Sequence, residues 1–159
     1  MTNQHQIIIV GGGNAGISVA ARLLRKNTQL DIAIIEPSEK HYYQPAWTLV
    51  GGGTFNINDT IRSEASVIPA KAKWIKDAVI SFQPAQNSVT TKQGDVYKYD
   101  YLVVAPGIQL DWGKVKGLKE TLGKNCVTSN YSVEYAPYTF ECIKAMKPGM
   151  TAIFTSPST

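Results

Sequence analysis

With 159 residues, 43% hydrophobic and 18% charged, the chain has the composition of a globular protein with one good core, or one domain and the start of another, which excludes disordered and fibrous classes. Its formal charge of +4 is carried by scattered lysines (Lys71, Lys73, Lys76, Lys114, Lys116 and Lys119) without interleaved arginines and aromatics, so no nucleic-acid partner is expected. No apolar stretch approaches the ~18 residues of a membrane span, and Met1–His5 run straight into a strand, so no secretory leader is expected and two cysteines point to a reducing, cytoplasmic setting.

The first elements read as a strand at 7–10, a helix over about 15–26 and a strand at 31–35. Ile17, Ala20, Ala21 and Leu24 recur at helical spacing and form a stripe to bury, while Arg22, Arg25 and Lys26 face outward near the negative end of the helix dipole. Asn27 is a stop signal. A right-handed βαβ unit with parallel strands follows. Between its first strand and its helix lies Gly11-Gly12-Gly13-Asn14-Ala15-Gly16. In that context the glycines have distinct duties. Gly11 permits the tight turn, Gly13 lets backbone approach a pyrophosphate, and Gly16 lets helix and sheet pack closely. Free N–H groups at the helix start suit the phosphates. Glu36 ends the second strand, where a carboxylate accepts a hydrogen bond from a ribose hydroxyl. The pattern predicts dinucleotide binding.

After Glu36-Pro37 the sequence reads as an aromatic-rich loop from 38 to 53, closed by Gly51-Gly52-Gly53, with Tyr42, Tyr43 and Trp47 available to pack it. His41 reads as a structural or solvent contact. A short helix is expected at 59–65. Three β-rich runs at 73–82, 88–92 and 96–105, separated by turns at Gln86-Asn87 and Gln93-Gly94-Asp95, form a small antiparallel meander. Tyr101-Leu102-Val103-Val104 reads as apolar on both faces and returns to the central sheet. Residues 111–124 are loop-like, and 132–147 read as a helix with Pro137 in its first turn. Lys147-Pro148-Gly149 stops it, and a strand is expected at 151–155.

The fold class is therefore α/β: a Rossmann-like domain with a parallel sheet and an antiparallel β-meander, followed by the start of a second α/β domain. Residues 1–125 are assigned to the first and 126–159 to the opening of the second. On this reading the chain is the N-terminal part of a longer protein; the competing reading is a complete small domain whose last strand joins the first sheet.

The segments Gly11–Gly16, Glu36-Pro37-Ser38, His41-Tyr42-Tyr43-Gln44-Pro45-Ala46-Trp47-Thr48-Leu49-Val50-Gly51-Gly52-Gly53, Tyr99 to Gly107 and Ser129-Asn130-Tyr131-Ser132 together resemble the sulfide:quinone oxidoreductases. The resemblance covers essentially the whole chain but only the N-terminal part of the family's length. It implies FAD as cofactor, sulfide as electron donor and membrane quinone as acceptor. Gly11, Gly13, Asn14, Ala15 and Gly16 would cradle the pyrophosphate and Glu36 the adenosine ribose. Gln44 and Pro45 would approach the flavin end, Val79 would meet adenine through its main chain, and Ala105 and Gly107 would bracket a turn near the cofactor. Pro106 removes one N–H from that turn.

The family's catalytic cysteine would follow the segment 154–159, and the quinone pocket and membrane-associating part would lie further on. Cys142 reads as a structural thiol and Cys126 as offset from a cysteine that some relatives carry, so no catalytic residue is assigned and no metal is expected. The implied location is the cytoplasmic membrane face, with homo-oligomerisation possible through surfaces that later domains would cover. The competing functions are a type II NADH:quinone oxidoreductase and a non-enzymatic, truncated nucleotide-binding remnant.

Overall fold

A computed structural model describes residues 3–155, which fall into two compact units. The first comprises the residues up to Tyr43 together with Thr60–Leu110; the second comprises Gln44–Asp59 and the residues from Asp111 onward.

In the first unit, β1 (Gln4–Val10) leads into α1 (Asn14–Lys26) and returns in β2 (Ile32–Ile35). A two-stranded antiparallel sheet then joins β3 (Lys40–Tyr42) to β4 (Ile61–Ser63), followed by the single-turn helix α3 of this unit at Glu64–Val67. In chain order the short helix α2 (Trp47–Gly51) falls between β3 and β4 and belongs to the second unit. Four further strands, β5 (Lys73–Ile75), β6 (Val79–Gln83), β7 (Ser88–Thr91) and β8 (Val96–Val104), complete a six-stranded sheet in the order β5-β2-β1-β8-β7-β6. The first four strands in that order are parallel; β8-β7 and β7-β6 are antiparallel.

The long strand β8 serves both halves. Residues Val96–Lys98 pair with β7, and Lys98–Val104 pair with β1. The edge strands β5 and β6 are joined by only Lys76–Ala78. That link spans at most about 15 Å, whereas five flat interstrand steps need about 24 Å. The meander must therefore fold back over the parallel sheet, and the core shows it. One face of the sheet (Ile8, Val10, Ala33, Ile35, Ile75) packs with Val89, Tyr97 and Tyr99 of the meander. The other (Ile7, Ile9, Ile32, Ile34) packs against Ala20 and Leu24 of α1. Burial on both faces explains the unbroken apolar runs of β1 and β2.

This geometry corrects three sequence expectations. The expected strand 73–82 is two strands, broken where Asp77 accepts hydrogen bonds from the N–H groups of Ala78 (2.7 Å) and Gln93 (3.2 Å). Together with the Thr91 hydroxyl, the leading influence, these donors hold the Asp77 carboxyl below its usual range. The expected helix at 59–65 is instead the end of a 3₁₀ turn (Ile57–Thr60), β4 and the start of α3, because Ile61–Ser63 finds a partner strand in β3; tertiary pairing overrides weak local preference. In β8, Tyr101 and Val104 stay exposed although the strand does join the central sheet.

The second unit contains 3₁₀ turns at Gln44–Ala46 and Trp112–Lys114, the helix α2, α4 (Leu118–Thr121) and α5 (Ala136–Lys144). The segment 38–53, expected as loop, is thus partly β3 and α2. Pro137 does occupy the first turn of α5, where a missing N–H costs nothing. A side chain at Gly53 would strike the Phe140 ring at 2.3 Å, so the glycine run after α2 is what lets that helix lie on α5. Residues 151–155 are exposed and form no strand; none of the described strands pairs with them, and unpaired strand backbone has no ladder to stabilise it. The remainder of the sequence motif at 154–159 lies outside the described residues.

A Cβ at Gly16 would sit 1.9 Å from the Gly11 carbonyl oxygen. Gly16→Ala is therefore expected to destabilise the fold by about 1–3 kcal/mol, read from urea unfolding midpoints; a variant as stable as the parent contradicts this packing.

Candidate functional site

The site is built where β1 ends. Gly11 has φ +100°, and a Cβ there would lie 2.1 Å from the Ala105 carbonyl oxygen. The close approach is maintained by Gly11 N–H donating to Ile35 O at 2.9 Å and Ala105 N–H donating to Val10 O at 2.8 Å. The chain then extends through Gly13, which has no side-chain cap, and enters α1 at Asn14. The first intrahelical bond recorded there is Ile17 N–H to Gly13 O, 3.1 Å. The N–H groups of Asn14, Ala15 and Gly16 precede it and so lack intrahelical acceptors. Asn14 and Ala15 are exposed, and a Cβ added to Gly13 meets nothing within 4 Å. Open space, free N–H donors and the positive end of a 13-residue helix suit an anion.

Glu36 is fixed from four sides. Its N–H donates to Ile75 O (3.0 Å), and its carbonyl accepts from the Trp74 indole N–H (2.8 Å). Its carboxylate accepts from the N–H groups of Gly12 (2.8 Å) and Ser38 (2.7 Å). A carboxylate has about four acceptor positions, and Glu36 is only half-buried, so it retains capacity for a hydroxyl donor. These features fit the adenosine half of a dinucleotide: an anion at the helix start and a ribose at the end of β2.

Two residues that sequence reasoning did not include complete the site. Glu64, at the start of α3, is 1% exposed. Its Oε1 has no hydrogen-bond partner, and its Oε2 lies 3.4 Å from His41 Nδ1. A Cβ at Gly12 would fall 2.6 Å from Glu64 Oε1 and 2.7 Å from Glu36 Cγ. Gly12 therefore separates two carboxyl groups and admits no side chain. Burial pushes the Glu64 carboxyl above its usual range; the nearby Glu36 adds to this, while His41 opposes it. His41 is thus a structural partner, as its sequence reading held, but to an acid no motif announces. The only sequence signal for Gly12 was its place in a run of three glycines.

Of the remaining predicted residues, Val79 opens β6, half-buried against the meander side of the core, with a register irregularity just after it. Ala105 is half-buried beside Gly11, and Gly107 is exposed with φ +80° and open space around it. Gln44 and Pro45 belong to the second unit, half-buried and exposed respectively, with the Pro45 carbonyl accepting from the Thr48 hydroxyl at 3.3 Å. Trp47 is buried within that unit. Among the described residues no cluster of three or more His, Cys, Asp or Glu side chains could hold a metal, and no helix is long and apolar enough to cross a membrane.

Comparison with known proteins agrees with this architecture. The sequence model of the pyridine nucleotide-disulphide oxidoreductases matches residues 5–137. The chain is 56% identical over 160 aligned positions to the mitochondrial sulfide:quinone oxidoreductase of Dictyostelium discoideum, covering 100% of this chain and 35% of that protein. It is 42% identical to the mitochondrial sulfide:quinone oxidoreductase of Mus musculus, covering 99% and 35%. The X-ray structure of the sulfide:quinone oxidoreductase from Aquifex aeolicus superposes with a TM-score of 0.72 at 28% identity, over 88% of this chain and 32% of that one. The chain thus spans about a third of the length of the relatives it matches.

The buried acid makes stability depend on pH in a defined direction. A carboxyl whose folded pKa is raised binds its proton more tightly in the fold, so its contribution is fully present below the unfolded value of 4.5 and is lost as pH rises through the folded pKa. Glu64→Gln should therefore gain stability relative to the parent as pH rises from 4.5 toward neutrality. Urea midpoints measured across that range test this; a pH-independent difference would count against a protonated Glu64.

Proposed function

The chain belongs to the pyridine nucleotide-disulphide oxidoreductase family, and from that premise we propose that it is the FAD-adenosine-binding portion of a flavoprotein that oxidises sulfide and passes the electrons to a membrane quinone. The observation that carries the proposal is the pairing, at one sheet end, of an open helix N-terminus with a rigidly held carboxylate at the next strand's end. The similarity at 56% and 42% identity to proteins named sulfide:quinone oxidoreductase supports the choice of substrates.

In this reading the N–H groups of Asn14, Ala15 and Gly16 bind the pyrophosphate, with Gly11 and Gly13 keeping the approach clear. Glu36 accepts from the adenosine ribose. Its charge suits a free 2′-hydroxyl and repels a 2′-phosphate, which disfavours NADP. The Val79 main chain meets adenine, Ala105 and Gly107 shape the neighbouring turn, and Gln44 and Pro45 serve the flavin end; Gln44 supplies both a donor and an acceptor there. Bound FAD would supply two-electron redox chemistry between the donor and the quinone. The chain's own residues bind and orient it, and no catalytic residue is assigned among them. Residues 1–125 then form the N-terminal part of the FAD domain and 126–159 open a second nucleotide-binding-like domain. The full-length protein works peripherally on the cytoplasmic face of a membrane, with sulfide and quinone as partners, no nucleic acid, and homo-oligomerisation open to later domains. Residues 1–159 alone are inactive in sulfide oxidation.

A second reading has its own support: 30% identity over 122 residues to a protein named type II NADH:quinone oxidoreductase from Staphylococcus haemolyticus. Anaerobic titration of the full-length protein separates the two. Bleaching of the flavin by sulfide supports our proposal, and bleaching by NADH alone supports the other.

Glu36→Ala should weaken FAD binding by about 1.5–3 kcal/mol, roughly ten- to hundredfold in Kd, because a charge-assisted hydrogen bond is removed. Calorimetric titration of the full-length apoprotein measures it; unchanged affinity would overturn the ribose assignment.

A further inference from the structure

Behind the glycine turn, the first unit encloses a pair of titratable side chains that the grip on a dinucleotide does not itself use. Glu64 Oε2 and His41 Nδ1 lie 3.4 Å apart, and the two side chains are only 2% and 10% exposed. Backbone contacts hold the pair in place. Glu64 N–H donates to Glu39 O at 2.9 Å, Glu64 O accepts from Ile68 N–H at 3.1 Å, and the β3–β4 register sets His41 opposite Arg62. Glu64 Oε1 is left buried with no hydrogen-bond partner, a costly state for a charged oxygen. That oxygen is directed at Gly12: a Cβ there would lie 2.6 Å from it and 2.7 Å from Glu36 Cγ. One residue further, at Gly13, the space is open and the free N–H groups of α1 begin.

Charge on this pair acts across Gly12 on whatever binds at the helix start. Two like charges within about 8 Å, at a protein-like effective dielectric, oppose one another enough to change an affinity roughly tenfold or more. Burial already pushes the Glu64 carboxyl above its usual range, His41 opposes this and Glu36 adds to it. A bound pyrophosphate would add negative charge on the same side. The other charged groups of these elements are placed to matter less. Lys40 of β3 and Arg62 of β4, with Glu39 and Lys76, line a cleft open to solvent, where water and salt screen them. Tyr42 alternates with His41 along β3, and α1 has no acidic residue in its first turn.

We propose that Glu64 and His41 are a positioning pair for the dinucleotide: they take up protons when the pyrophosphate binds, so that the grip of the glycine turn on FAD tightens as pH falls. The inference rests on the FAD reading above and adds a proton partner to it. The proton comes from bulk water and lodges on the pair. The sign is the same whichever of the two side chains carries it, because an anion favours the more protonated pair. Affinity is therefore highest where the pair is protonated and is lost as pH rises.

Calorimetric titration of the full-length apoprotein with FAD, in two buffers of different ionisation enthalpy, tests this. The pyrophosphate diester of FAD keeps its charge between mildly acid and mildly alkaline pH, so proton uptake reports the protein. The parent should take up protons on binding, and its affinity should fall at least about fivefold from about pH 5 to about pH 8. Glu64→Gln keeps the shape of the side chain and stays neutral. It should bind like the parent at the acid end and more tightly at the alkaline end, with proton uptake reduced. A Glu64 that only packs would leave parent and Glu64→Gln with the same pH profile, and that result overturns the inference while the FAD reading stands. FAD binding by the parent without proton uptake, a measurement that needs no variant, overturns it in the same way. Failure of the parent to bind FAD at any pH overturns both.

Discussion

The passage from β1 into α1 is possible only because two glycines leave no side chain in each other's way. The first turn of the helix lies against the Gly11 carbonyl so closely that a Cβ at Gly16 would overlap it, and Gly11 itself lies against Ala105. This contact fixes where the helix begins relative to the strand ends. It therefore fixes where the free N–H groups of Asn14, Ala15 and Gly16 point, and how far they lie from the carboxylate that closes β2. Sheet register does the rest. The β1–β2 pairing runs Ile7↔Ile32 to Val10↔Ile35, which delivers Glu36 beside Gly12.

The electrostatics of this corner are arranged around Gly12. The Glu36 carboxylate is half-exposed, hydrogen-bonded by backbone and compatible with its charge near a helix N-terminus. Glu64 lies on the other side of the glycine, buried, with one oxygen unpartnered and the other 3.4 Å from His41 Nδ1. Two like charges so close oppose one another, and burial with the nearby Glu36 pushes the Glu64 carboxyl above its usual range, against the opposing His41. That asymmetry leaves Glu36 as the acceptor a ribose would meet.

Sequence carried those parts of the structure whose causes are local or periodic. The glycine spacing announced the turn because φ +100° at Gly11 demands that residue type. The stripe of Ala20 and Leu24 announced the buried face of α1, and the apolar run of β2 announced a strand covered on both sides. What stayed illegible depends on distant partners. Nothing in Ile61–Ser63 marks a strand until Lys40–Tyr42 lies beside it. Nothing in the run 73–82 reveals that it crosses between two edges of one curled sheet. Glu64 resembles any acidic helix start, and only the tertiary fold places it under Gly12. The aromatic segment from Tyr42 onward was recognisable by resemblance, yet its division between β3 and α2 follows from pairing and from the seat that Gly53 makes for Phe140.

The central claim is that backbone N–H groups at the start of α1, together with Glu36, grip the adenosine and pyrophosphate of a dinucleotide. The most direct measurement is a residue-resolved amide NMR titration of the chain with ADP, which carries both groups. The account predicts that the amides of Gly13, Asn14, Ala15, Gly16 and Glu36 shift together along one saturable isotherm. Saturation with those resonances unmoved, or shifts confined to the unit that contains α5, would contradict it.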